Sequence, residues 1–429
     1  MKRYSAYPEC KPSGIDWLGD IPKHWEIKKL KYLFSLKMKK ATTDNNPVAL
    51  ENIESWTGRY IATNSEFEGD GIAFSTGDIL FGKLRPYLAK ILMAEKSGEA
   101  IGDLFVLSHK KTMNPQYAAY VMRMEKFIDI VDGSTFGSKM PRVNWDFMGN
   151  LPFLVPSLSE QQAIAAFLDR ETAKIDGVIG KREKLIELLQ EKRSALISHT
   201  VAKGLDPEVK LKPSGIDWLG DIPEHWEIAK FKFLASSSGG GTPDTSNPEY
   251  WEGEIPWVSA KDMKIDKIND TEDHITELGL KESSARMIPP NQVLLVTRSG
   301  ILKHTIPVAI NQVPVAINQD MKALTPKPFL LAEYLFYLIK GNQQALLALW
   351  RKQGCTVESI EYEYFANSEI PLPPLAEQKT IVDYLNKEKE KLDKLVAKEI
   401  KIIEKVKEYR LSLIEKVVTG KVNIRENVS

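Results

Sequence analysis

Residues 11–33 read KPSGIDWLGDIPKHWEIKKLKYL, and residues 212–234 repeat them as KPSGIDWLGDIPEHWEIAKFKFL, identical at 19 of 23 positions with an offset of 201. A second landmark recurs further on: Pro156, Glu160 and Gln161 fall on Pro373, Glu377 and Gln378 at an offset of 217, so the second half holds 16 more residues between its landmarks. The chain is therefore a tandem duplication whose ends match and whose middles differ. Neutral drift of a duplicated structural domain would blur the ends as well as the middles. Selection for two different middles on one frame fits better.

At 429 residues the chain has material for two or three compact units, and 43% hydrophobic residues can fill their cores. No run of about 18 apolar residues is present, so no membrane span is expected. Met1-Lys2-Arg3-Tyr4-Ser5 lacks the apolar stretch of a secretion signal. Cys10 and Cys355 lie far apart without metal-ligand spacing, which suits a reducing cytoplasm. Lys+Arg and Asp+Glu are both 58, giving zero net charge. That balance mildly opposes a free-standing nucleic-acid binder, because phosphate neutralisation supplies much of such affinity. Basic residues held locally, or a partner that shares the grip, remain compatible with it.

Each half closes on a long helical stretch. After Pro156, Ser159-x-x-Gln162 has the form of a capping box. Ile175, Val178, Leu185, Leu189 and Leu196 recur at three, four and seven, interrupted by Arg182. Leu392, Leu395, Ile402, Val406, Tyr409 and Leu413 do the same, interrupted by Glu399. These are helix-pairing seams of about 30–40 residues, flanked by Lys and Glu. Two amphipathic helices packed separately on their own domains would show similar stripes. Two matching seams in one chain favour packing on each other, and the path of the chain favours the antiparallel sense. Ahead of each helix lies a mixed region of roughly 150 residues. Ile79-Leu80-Phe81 and Val293–Val296 read as strands, and Tyr117–Met124 and Leu330–Ile339 as short helices. The fold class is α+β.

Enzyme signatures are missing. No GxxxxGK[ST] phosphate loop occurs, Gly239-Gly240-Gly241 reads as a flexible turn, and no Asn-Pro-Pro-aromatic motif of amino-methylating enzymes is present. Asp20, Glu26 and Lys28 resemble a metal-dependent nuclease triad, but the copy, Asp221, Glu227 and Ala229, has lost the lysine. The six histidines form no close pair on a helix, so no zinc site is expected. Basic residues beside turns remain. Lys83, Arg85, Tyr87 and Lys90 follow one strand, and Arg298, Lys303 and His304 follow the corresponding one. Gly137–Arg142, with Lys139 and Arg142, falls at the 217 offset on Gly354–Ser359, preceded by Arg351 and Lys352. Loops at strand ends can enter a major groove, where Arg or Lys pairs with guanine. Singly, such a cluster is more often a solvated surface than a DNA contact; their recurrence in two divergent heads is the argument for contact with DNA.

The arrangement resembles the specificity subunit of Type I restriction–modification systems over essentially the whole chain. Gly240-Gly241-Thr242-Pro243, followed by Asn247–Val258, is similar to the opening of that family's target-recognition domain. Pro371–Gln378 is similar to the entry of its conserved helix, as is the first-half stretch ending Ser159-Glu160-Gln161, and Gly77–Phe81 also matches. The first head lacks the Gly-Gly-Thr-Pro and Tyr-Trp stretch, which places it in a different subgroup. The resemblance implies target-recognition domains at 1–155 and 206–372, spacer helices at 156–205 and 373–429, and Thr242 among the DNA contacts. It further implies a pseudo-twofold, non-catalytic cytoplasmic subunit that reads a bipartite duplex site. Two modification subunits, which methylate adenine N6 with S-adenosylmethionine, would dock on it, and ATP and Mg would belong to any motor-nuclease subunit. Partners that help enclose the DNA would account for the neutral charge. The competing reading is a coiled-coil adaptor with two protein-interaction heads.

Overall fold

The computed structural model describes residues 5–41, 46–63, 71–137, 139–352 and 357–424. The expected basic-loop positions Ser138, Gly354, Cys355 and Thr356 lie outside them. The chain divides into two compact units, one of residues 1–183 with 400–429 and the other of residues 184–399. No helix among the described residues is long and apolar enough to cross a membrane.

In the first unit, β1 (Glu26–Lys29) leads through a 3-10 turn (Leu30–Tyr32) to β2 (Phe34–Lys37). β3 (Ile79–Gly82), β4 (Ile91–Met93) and β5 (Leu104–His109) follow, then α1 (Pro115–Met122), α2 (Glu125–Gly133), α3 (Trp145–Met148) and β6 (Pro152–Val155). The main sheet has the order β2-β5-β3-β4, all antiparallel, and β6 pairs with β1. Ile79, Leu80 and Phe81 are all buried, so β3 has core on both faces and reads as a continuous apolar run rather than an alternation. Asn114 caps α1, its side chain accepting from the Tyr117 N–H at 2.8 Å. That helix begins two residues before the expected Tyr117 and ends two before Met124.

From β6 the chain enters α4 (Leu158–Lys203), a helix of 46 residues that continues into the second unit. Its cap is Ser157, whose hydroxyl accepts from the Glu160 N–H at 3.3 Å, and not the expected Ser159. Pro156 stops the helix from starting earlier, so the first free hydroxyl after it takes the cap.

The second unit repeats the plan. β7 (Glu227–Lys230) and α5 (Phe231–Leu234) come first. The five-stranded sheet is built from β8 (Ala235–Gly239), β9 (Lys267–Ile268), β10 (Val293–Val296), β11 (Val308–Asn311) and β12 (Met321–Pro326), in the order β8-β12-β10-β11-β9. α6 (Ala332–Gly341), α7 (Gln343–Trp350), α8 (Tyr362–Asn367) and β13 (Glu369–Leu372) lead into α9 (Leu375–Val418), of 44 residues. β13 pairs with β7 as β6 does with β1, in a register that holds the 201 and 217 offsets: Val155 faces Glu26, and Leu372 faces Glu227. Gly239 closes β8, but Gly240 and Gly241 are not the flexible turn expected. A Cβ on Gly240 would lie 1.9 Å from the Ile317 carbonyl oxygen, so only glycine allows this crossing.

Within the first unit, Asp176 of α4 bonds Arg410 of α9, and Trp25, beside the His24 that bonds Glu160, lies under Gly420. The early part of α4 thus runs opposite in sense to the late part of α9. Within the second, Arg193 bonds Asp393 at 2.7 Å, and Gly204 lies beside Glu377. The sheltered stripe is Leu168, Thr172, Ile175, Ile179 and Arg182 with Ile403, Val406, Arg410, Leu413 and Val417 in the first unit. In the second it is Ile186, Leu189, Arg193, Leu196 and Thr200 with Leu385, Lys389, Leu392, Val396 and Glu399. Each α4 position recurs 217 residues later on α9. Of the expected seam residues, Ile175, Leu189, Leu196, Leu392, Val406 and Leu413 lie on the stripe. Val178, Leu185, Leu395 and Tyr409 are exposed and Ile402 is half-buried, while their neighbours Ile179, Ile403 and Arg410 are buried and Ile186 and Val396 half-buried. Steps of three and four from a seam residue both meet an apolar side chain at most levels, so apolarity alone cannot choose. At the last level the choice is electrostatic: Arg410 goes inward to Asp176.

Candidate nucleic-acid interface

In the first head, the loop after β3 is zipped onto the segment before α3. Leu84 bridges Arg142, the Arg85 N–H donates to the Pro141 carbonyl at 2.8 Å, and the Val143 N–H donates to Lys83 at 3.0 Å. Lys83, Arg85, Tyr87, Lys139 and Arg142, scattered over 60 residues of sequence, thereby share one corner. Arg85 sits in the left-handed region (φ 51°) just before the turn Pro86–Leu88, so the backbone reverses there. Arg85, Tyr87, Lys139 and Arg142 are exposed and Lys83 is half-buried. Asp103 lies beneath, accepting from Nε and one terminal nitrogen of the Arg142 guanidinium at 3.0 and 2.8 Å, with Lys83 3.6 Å away. The Arg142 hydrogen bond holds the Asp103 carboxyl below its ordinary value. Lys90 does not join the corner. Its ammonium donates to the Leu50 carbonyl at 2.7 Å, and burial lowers its pKa.

The second head builds the same corner from different residues. Arg298 bridges Ser359, the position equivalent to Arg142 at the 217 offset, and Arg351 bridges Ile360. The Ser299 N–H donates to Glu358, and the Ile360 N–H to Thr297. This gathers Arg298, Lys303, His304, Arg351 and Lys352, all exposed. Glu358 plays the part of Asp103: it takes Arg351 Nε at 2.5 Å together with a second guanidinium nitrogen, and that bonding lowers its pKa. Lys352 pairs with Glu361 at 3.0 Å. Thr242 is half-buried and bonds Gln319 instead of facing outward. Gln319 adjoins Asp320, whose carbonyl accepts from the N–H groups of Thr297 and Arg298.

Sequence reasoning missed the anions that orient each corner: Asp103 comes from a segment 39 residues from Arg142, whereas Glu358, seven residues from Arg351, was passed over because only cations were sought there. It also missed the exposed apolar residues Phe136 and Met140 beside Lys139. In the nuclease-like set that the second copy argued against, Lys28 pairs with Glu26 at 2.6 Å; no cluster able to hold a metal occurs among the described residues.

The repeat itself seats each head on its helices. Glu160 bonds His24 at 2.9 Å and accepts from the Tyr7 hydroxyl at 2.7 Å, and Glu377 bonds His225 at 2.8 Å. Gln161 takes the Asn114 N–H and donates to the Thr112 and Pro156 carbonyls; Gln378 takes the Leu331 N–H and donates to Phe329 and Pro373. Tyr120 donates to Asp169 and Tyr337 to Asn386, both at 2.7 Å, with burial raising both phenols. The Asp176–Arg410 and Asp393–Arg193 pairs are exact counterparts at the 217 offset. Scanning for polar residues, and not only apolar ones, at that offset would have found them.

Two mixed helix-and-sheet heads on one duplicated frame, each presenting a basic corner, define a tandem recognition protein. The family described as Type I restriction modification DNA specificity domain matches it twice, over residues 22–188 and 223–408, and the chain belongs to that family. It is 37% identical over 185 residues to the EcoR124I/EcoR124II specificity subunit of Escherichia coli, a match covering 42% of this chain and 43% of the relative. The MjaIX specificity subunit of Methanocaldococcus jannaschii is 33% identical over 171 residues, 39% of each. In these two matches the chain spans well under half of the relatives' length. The MjaVIII specificity subunit of the same archaeon is 24% identical over 424 residues, 94% of each. Among solved structures, a chain from work on assembly and conformational transition of the type I R-M system superposes with a TM-score of 0.74 at 18% identity, covering 94% of this chain and 99% of that one. The HsdS subunit from Thermoanaerobacter tengcongensis gives 0.51 at 16% identity, over 94% and 98%.

Proposed function

We propose that this chain is the non-catalytic specificity subunit of a Type I restriction–modification complex and reads a bipartite duplex site, one half-site per head. The observation that carries this is the basic corner built twice, on the same backbone frame, from different side chains. A protein that reads two sequences needs one frame and two sets of base-facing residues. Residues 1–155 and 206–372 are the recognition heads, and 156–205 and 373–429 form the antiparallel coiled-coil spacer. Two modification subunits dock on it and supply S-adenosylmethionine chemistry at adenine N6. ATP and Mg act in a motor-nuclease subunit where the system restricts. The setting is the cytoplasm.

The isolated chain should neither cut nor methylate DNA, whereas adding the modification subunit alone should give methylation at one bipartite sequence. Incubating pure chain with duplex, Mg²⁺ and methyl donor tests this, and activity above a partner-contamination control refutes it. A duplex-binding titration of the reconstituted pair separates a DNA reader from an adaptor that binds only proteins.

Within the corners, Arg85 and Arg298 are the base readers, as neither forms an ion pair among the described residues. Changing either to alanine should cost about 1–3 kcal/mol and relax one position in its own half-site. Lys139→Ala and Lys303→Ala should weaken all sequences alike and lower the salt slope by about one unit. Arg142→Ala should be worse than either lysine change, because it turns the Asp103 carboxylate loose against phosphate. Binding measured on a library of half-site variants at two salt concentrations distinguishes these outcomes.

A further inference from the structure

Large exposed aromatic side chains recur in the two heads where the folding argument does not need them. Tyr32 (59% exposed) falls on Phe233 (57%) at the 201 offset, and Phe147 (42%) falls on Tyr364 (57%) at the 217 offset. Each pair lies on two adjacent elements. In the first head, the turn Leu30–Tyr32 is bonded to the end of α3 through Lys31 N–H to the Gly149 carbonyl at 2.8 Å and Leu30 N–H to Leu151 at 3.0 Å. In the second, the Phe231 N–H donates to Ser368 at 2.9 Å, and Lys232 reaches Asn367, the counterpart of Asn150, at 2.8 Å. The core beneath is filled by the neighbours Leu30, Leu33 and Met148 in one head and Phe231, Leu234 and Phe365 in the other, all buried. The four outer rings are surplus to it.

We propose that these two aromatic pairs are the anchors on which two copies of the modification subunit dock, one per head. The inference rests on the function proposed above and adds the surface. Residues that read DNA must differ between heads that read different half-sites, and in the basic corners they do differ. Residues that hold the same partner twice must recur, and these do. What recurs is the ring and not the hydroxyl, since tyrosine and phenylalanine exchange places in both pairs. A contact made by the ring fits packing against an apolar residue, whereas duplex DNA has its base faces already stacked. The flanking cations recur as well. Lys29 and Lys31 fall on Lys230 and Lys232, all exposed, and Lys31 and Lys232 lie over the rings of Tyr32 and Phe233 at 5.6 and 5.4 Å. The complementary partner surface is therefore an apolar residue ringed by carboxylates. Aromatic anchors rimmed by charge are the usual centre of such interfaces.

The test uses the full chain with the purified modification subunit, read by native mass spectrometry and titration. The unmutated chain should bind two copies. Tyr32→Ala with Phe147→Ala should bind one at the same concentrations, as should Phe233→Ala with Tyr364→Ala, each lost site being about 30-fold weaker or more. The conservative exchange Tyr32→Phe with Phe233→Tyr should keep two. Hydrogen exchange on the unmutated complex, run alongside, should show protection at 30–33, 145–150, 231–234 and 362–367, which reads the surface even where a variant fails to fold. Two copies bound at unchanged affinity by the fourfold variant, or no protection at these segments, overturns the assignment. So does a fall in the chain's own duplex affinity with partner binding intact, which would make the patch a DNA contact. Failure of the unmutated chain to bind the modification subunit refutes the proposed function itself, and the docking surface with it.

Discussion

Gly240→Ala should abolish recognition by the second head while leaving the first intact. The added Cβ would fall 1.9 Å from the Ile317 carbonyl oxygen and 2.4 Å from that of Asn318. Both are backbone atoms, so the strand crossing itself must move. Thr242, two residues on, would leave Gln319, and the adjacent Asp320 carbonyl would lose its hold on the Thr297 and Arg298 N–H groups. Overpacking at a site that cannot yield costs about 3 kcal/mol or more, near a hundredfold in the population of the competent corner. Gly239→Ala is the control: a Cβ there meets nothing within 4 Å. Methylation of the bipartite sequence, assayed with saturating modification subunit, should fall about a hundredfold for Gly240→Ala and hold for Gly239→Ala. A Gly240→Ala chain with unaltered unfolding temperature and site preference would show that the crossing does not position Arg298.

Lengthening both helices by one heptad should widen the unread gap between half-sites without altering either half-site. The ion pair Arg193–Asp393 sets where the insertions must go. Because the strands of the spacer run in opposite senses, an insertion after Leu189 matches one beside Val396, and not beside Val406, which stands at the repeat-equivalent position. Seven residues add about 10 Å at 1.5 Å per residue. At about 3.4 Å per base pair the gap should grow by one to three pairs. Methylated adenines mapped for both chains with the same modification subunit give the answer. An unchanged gap in an active variant means that the helices do not space the heads.

Much of this was legible from spacing. The repeat announced two equivalent heads, and strands such as Ile79–Gly82 and Val293–Val296 stand where continuous apolar runs placed them. The helix stripe was legible only at every other level, because Val178 and Ile179, or Leu395 and Val396, are equally apolar and a single residue decides the face. Lys90 and Thr242 looked like surface contacts because a lysine before a strand, or a threonine in a glycine loop, carries no mark of what lies behind it. Leu50 and Gln319, their partners, come from distant segments. Asp103 was invisible for the same reason, whereas Glu358 stood in plain view seven residues from Arg351 and was overlooked by a search for cations alone. Long-range pairing of charges is a property of the fold and leaves no local trace.

The division of the units also has a consequence for synthesis. The second unit is a continuous stretch, 184–399, whereas the first needs residues 400–429 to complete it. Leu413, Ile414, Val417, Val418, Val422 and Ile424 all belong to the core that contains Trp25 and Phe153. On the ribosome, the usual order of N-terminal domain first is therefore reversed. The head made earliest must wait with an open core until the last helix emerges, while the head made later can already close. Between those moments the first head offers a gap shaped for the end of α9, and a nascent chain held there is the species most exposed to chaperones and to a neighbouring chain's tail.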